Sequence, residues 1–150
     1  MLEEGEMPLN SNIKEFLRGI RGRRKEIDDL VRERERLLTT LGPRALRLKE
    51  VDVQTSLPGD MMAETMAAVV SLEREIQISI HDLAMQQARA EQMIRQVDSD
   101  VHRRLLRLYY FDGLRWWQVA EEMEYTEAHV RKMHSKALEE IAQILKDDTK

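Results

Sequence analysis

Between Asp60 and Val97 an apolar residue returns every seven positions, at Met62, Val69, Ile76, Leu83, Ala90 and Val97. Met66, Ile80 and Ile94 fill a second series four residues on, which Glu73 and Gln87 interrupt. A strand puts every second side chain on one face and cannot keep this period, whereas an α-helix brings each seventh residue back to nearly the same face. The spacing therefore predicts a long helix with one apolar seam. Residues 11–41 repeat the pattern. Leu17, Val31 and Leu38 take one seam position and Ile13, Ile20, Ile27 and Leu41 the other, with Arg24 and Arg34 interrupting. Ser11 or Asn12 can cap this helix, and Gly42-Pro43 ends it, since proline cannot continue a helix and glycine readily closes one. Gly19 and Gly22 each cost about 1 kcal/mol relative to alanine, so GIRGRRK is its weakest stretch.

Residues 1–10 read as a flexible lead-in and 42–59 as a linker. The two helices close most simply as an antiparallel hairpin, or coiled coil, in which the polar seam residues Arg34 and Glu73 face one another. Leu30 and Leu37 on the first helix, and Ile78, Met85 and Met93 on the second, widen the apolar surface beyond what one partner covers. This predicts self-association of residues 11–98, a dimer being the simplest case, through Ile20, Ile27, Val69, Ile76, Ile80 and Leu83. Met61, Met62 and Met66 read as fillers of core gaps.

Residues 99–150 follow a different plan. Asp100–Phe111 places Val101, Leu105, Leu108 and Tyr109 on one face, with Gly113 past its end. A short helix then aligns Trp116, Val119, Ala120 and Met123, which turns Trp117 outward, over Tyr125 or against a partner. Thr126 can cap a further helix whose inward stripe is Val130, Met133, Ala137, Leu138 and Ile141. Its outward face is Glu127, Ala128, His129, Arg131, Lys132, Ser135 and Lys136. Two short helices so closely joined bury too little by themselves, and Asp100–Phe111 is the brace. The small Ala120 sits where the pair must cross. The result is an all-α chain in which a helix-turn-helix follows the long hairpin.

The run Val119-Ala120-Glu121-Glu122-Met123-Glu124-Tyr125-Thr126, with Val130 and the closing Ala137-Leu138, resembles region 4 of the sigma-70 family of transcription initiation factors. The likeness covers about the last third of the chain. Glu124 stands where that family usually has glycine, so it must take a left-handed conformation or widen the turn. The layout, long helices and then a sigma-like domain, is also similar to small phage-encoded regulators of Gram-positive bacteria, including late-operon activators. The resemblance implies a DNA-binding transcriptional regulator, phage or prophage encoded, whose second helix enters the major groove. Glu127, Ala128, Arg131 and Lys132 then occupy base-reading positions. Glu127 can accept from cytosine, and Arg131 or Lys132 can donate to guanine or phosphate.

Composition limits these readings. The 150 residues contain no cysteine, which excludes disulfides and cysteine-held zinc. No apolar run reaches the roughly 20 residues that span a bilayer, and the acidic start is unlike a secretory signal, so a cytoplasmic protein without membrane contact is expected. His81, His102, His129 and His134 form no metal motif, and no nucleotide loop or nucleophile elbow occurs, so neither an enzyme nor a cofactor or metal is expected. Net charge is −4, and residues 100–150 hold nine cations against ten acids. One copy should therefore bind double-stranded DNA weakly, and pairing two copies is the remedy. The run Arg18, Arg21, Arg23, Arg24 and Lys25 is either a solvated face or a phosphate contact. The acidic balance also fits an adaptor that binds RNA polymerase or another protein. A DNA-recognition subunit of a phage packaging complex has the same parts.

Overall fold

The computed structural model of the chain describes residues 9–42 and 59–148, and every regular element among them is helical. α1 spans Leu9–Leu41 and α2 Gly59–Arg95, followed by α3 over Asp100–Leu106, α4 over Trp116–Met123 and α5 over Glu127–Asp148. The all-α expectation holds. The expectations for residues 1–8, and for 43–58 within the linker, lie outside the described residues. α1 stops as its sequence requires: Gly42 turns left-handed at φ 72° and donates its N–H to the carbonyls of Leu38 and Thr39. None of the described helices is long and apolar enough to cross a membrane.

The chain packs as two compact units, and both long helices contribute to each. One unit is Lys25–Asp82, in which Leu41, Val69 and Ile76 are buried. Here the second seam of α2 departs from expectation. Ser79, three residues after Ile76, is buried, whereas Ile80 is 45% exposed and Glu73 faces solvent. Residues three and four positions on flank the first seam from opposite sides, and packing selects the flank with the small serine. Arg34 consequently does not meet Glu73; its guanidinium reaches its neighbour Glu35 at 3.5 Å. Met61 is likewise exposed and fills no gap, while Met62 and Met66 are half-buried.

The other unit joins residues up to Arg24 with those from Leu83 onward. Ile13, Leu17 and Ile20 of α1, Ala90 and Ile94 near the end of α2 and Val97 just past it share one core with α3, α4 and α5. α3 is capped by Ser99, whose hydroxyl accepts from the His102 N–H at 3.3 Å, and continues into a π-helical turn over Arg107–Phe111. Five-residue spacing rotates the inward face. Leu105, Leu106 and Tyr110 are buried, and Val101, expected inside, is exposed. Gly113, at φ 72°, then reverses the chain. Arg107 is paired at 2.5 and 3.2 Å with Glu91 of α2, a hydrogen bond that holds the Glu91 carboxyl below its ordinary value. His102 meets Glu140 of α5 at 2.5 Å.

Candidate nucleic-acid interface

α4 and α5 are joined by a turn of three residues, Glu124–Thr126. Glu124 takes the left-handed conformation, φ 59° and ψ 42°, one of the two outcomes that its sequence position allowed. Its N–H donates to the Glu121 carbonyl at 3.3 Å and that of Tyr125 to Ala120 at 3.0 Å, a Schellman closure built on a residue other than glycine. One residue on, the Thr126 hydroxyl accepts from the His129 N–H at 3.1 Å and caps α5 as expected. Val119, Ala120 and Met123 of α4 are buried, as are Val130, Met133, Ala137, Leu138 and Ile141 of α5.

The opposite side of α5 is open. Glu127, Ala128, His129, Arg131, Lys132, Ser135 and Lys136 are all exposed. Three of them are held: Glu127 accepts from Arg131 at 3.0 Å, and the His129 ring stands edge-on to Tyr125 of the turn at 4.9 Å. Tyr125 thus leans on His129, and Trp117 is left 53% exposed above Glu121, Glu122 and Glu124.

Behind that face lies an aromatic block that sequence reading located only in part. Trp116 stacks on Tyr109 at 3.8 Å with ring planes 11° apart, and the Tyr110 hydroxyl is 2.6 Å from His134 Nε2. Burial, with Lys14 and Arg18 nearby, lowers the His134 imidazole to about 4, so the ring is neutral at neutral pH. Burial also raises the Tyr110 phenol above its ordinary value. A neutral phenol and a neutral imidazole thus share one buried hydrogen bond.

The basic run of α1 is divided between tasks. Arg21 donates to the carbonyls of Tyr109 and Leu114 at 2.6 and 2.8 Å and lies 4.2 Å over the Tyr109 ring, and Arg24 donates to the Phe111 carbonyl at 2.7 Å. The carbonyls of Tyr109 and Phe111 end the π-helical turn and that of Leu114 lies in the loop beyond it, so both guanidinium groups act as caps supplied by another helix. Lys14 and Arg18 instead line a cavity of about 210 Å³ together with Tyr109, Tyr110, Trp116, Arg131, His134 and Ser135. Lys14 was absent from the sequence-based site. Its signal was the i, i+4, i+7 spacing of Lys14, Arg18 and Arg21 along one flank of the Leu17 seam.

Of the residues expected to join copies of the chain, Ile20, Val69 and Ile76 are buried within a single copy. Ile27 and Leu83 are half-buried, and Ile80 is exposed along with Val70 and Ile78. Among the described residues no group of three or more His, Asp or Glu side chains is placed to hold a metal. Comparison of the chain with models of protein families, with curated proteins and with solved structures finds no match.

Proposed function

We propose that this chain is a sequence-specific DNA-binding regulator of transcription, phage or prophage encoded, in which α4, the Glu124–Thr126 turn and α5 form a helix-turn-helix of the sigma-70 region 4 kind. The observation that carries the reading is the division of α5: its apolar stripe is buried to the last residue, while all seven outward positions are open. A helix locked on one side and unobstructed on the other can enter a major groove as a rigid body. The layout resemblance supports the phage assignment. The long helices act as a hairpin that pairs two copies, and exposed Val70 and Ile78, eight positions apart and so on one side of α2, favour this, since an apolar strip along one helix asks for a partner.

The test is recovery of bound DNA from the native host, followed by binding of the recovered site by variants over a range of salt. Arg131→Ala should cost about 1–3 kcal/mol and relax preference at one base pair. Lys136→Ala should weaken all sequences alike and flatten the salt dependence by about one unit. Glu127→Ala removes the carboxylate that now holds Arg131, so non-specific affinity should rise while discrimination falls. If Glu127→Ala, Arg131→Ala and Lys132→Ala all leave DNA binding unchanged, a second reading takes over. Trp117 beside Glu121 and Glu122 of α4 and Glu124 of the turn favours it: an acidic, aromatic patch suited to a basic protein surface such as one on RNA polymerase.

A further inference from the structure

We propose that the cavity between the first turns of α1 and the outer flank of α5 is a seat for a phosphate group. In that case α1 takes part in anion recognition as well as in the core. The inference rests on the DNA-binding reading only for the source of the phosphate.

Three cations converge there, Lys14 and Arg18 one turn apart on α1 and Arg131 on α5, of which Arg131 alone is paired, with Glu127 at 3.0 Å outside the cavity, and no acid lines the cavity itself. The fold does not need this convergence. Arg21 and Arg24 cap carbonyls, Arg107 pairs with Glu91, and Arg103 pairs with Asp100, but among the described residues neither Lys14 nor Arg18 has a carboxylate partner. Lys14 and Arg18, like charges one turn apart without a counter-charge, lower stability, so their persistence around one hollow points to an anion that completes the set. The hydroxyl of Ser135, one turn beyond Arg131, supplies a neutral donor.

Size selects among anions. A cavity of about 210 Å³ falls below the 300–1,000 Å³ usual for cofactor and drug-sized ligands, so it suits a phosphate group and not a whole nucleotide. The walls suit the same class. Stacked Tyr109 and Trp116 and the Tyr110–His134 pair form a rigid, neutral floor that offers no negative charge. Arg131 belongs both to this cavity and to the outward face of α5, with its guanidinium 5.7 Å from the Trp116 ring. A phosphate held here therefore lies at the edge of the surface proposed to meet DNA. Two sources share this chemistry, a backbone phosphate of the duplex and a free phosphate compound.

The experiment titrates the full chain with inorganic phosphate against chloride at matched ionic strength. Trp117→Phe is the background, because it leaves Trp116 as the one tryptophan reporter. A saturable change in Trp116 fluorescence is expected. It should weaken at least tenfold in the double variant Lys14→Ala/Arg18→Ala and in Ser135→Asp, which adds a negative charge to the cavity from α5 and leaves α1 untouched. Circular dichroism checks that each variant is folded. Non-specific duplex DNA gives the second arm. A log–log salt slope flatter by about one unit in both variants identifies the backbone as the source, while phosphate binding with an unchanged slope identifies a free compound. No saturable response, or the same response in folded variants, overturns the seat. Lys132→Ala, outside the cavity, reports separately on DNA reading, so either idea can fail while the other stands.

Discussion

His134 makes the stability of the C-terminal unit depend on acid in a way that can be worked out. Its ring is 6% exposed, shares a hydrogen bond with Tyr110, and titrates at about 4 in place of 6.5. A histidine with a lowered folded pKa gives stability that is complete above the unfolded value and is lost as pH falls toward the folded one. Between about pH 7.5 and pH 5 the unfolded chain binds the proton and the folded chain largely does not, which costs about 2 kcal/mol. For a unit of this size the melting temperature should drop on the order of 10 °C. His134→Gln keeps an uncharged side-chain partner able to donate to or accept from the Tyr110 hydroxyl and removes the titration. Urea unfolding followed by circular dichroism at both pH values should show the natural chain losing about 2 kcal/mol more than the variant. The comparison cancels the exposed histidines and carboxylates, which are common to both proteins. Equal acid sensitivity would refute the assignment of a buried neutral imidazole.

Three further substitutions test the helices themselves. Glu124→Gly should raise stability by about 0.5–1 kcal/mol, because relief of left-handed strain outweighs the added freedom of the unfolded chain; a loss in thermal melts would refute the strain. Gly19→Ala and Gly22→Ala lie within α1, where an added Cβ meets nothing within 4 Å, so each should stabilise by about 1 kcal/mol in urea titrations. Ala120→Leu should cost about 1–3 kcal/mol by overpacking where α4 crosses α5, and an unchanged melting transition would misplace that crossing.

What the chain disclosed about itself was local. The glycine that ends α1, the Thr126 cap, the inward stripe of α5 and the conflict at Glu124 all depend on neighbours within a turn or two, and periodicity reports those directly. Partners were a different matter. The seam at Ile13, Leu17 and Ile20 is legible as apolar, but nothing in its spacing says that it packs with Leu105 and Ile141, some ninety and more residues away. Arg21 and Arg24 read as part of a basic run because the carbonyls they cap exist only once a π-helical turn has formed. The turn itself shifts the inward residues of α3 by a step that a 3.6-residue period cannot predict. Ser79 was passed over for the same kind of reason, since an apolar Ile80 beside it made the stronger pattern.

The core that unites Ile13 with Ile141 also sets a schedule for synthesis. A ribosome adding about 5–20 residues per second finishes α1 and then takes on the order of ten seconds to deliver α5. Throughout that interval Leu17 and Ile20, which end at zero exposure, stand uncovered on the nascent chain. The unit that carries the outward face of α5 can close only when nearly the whole chain has been made. A stalled or prematurely ended translation product would display the apolar stripe of α1 without its lid, and so be marked for chaperone capture or proteolysis before it could act.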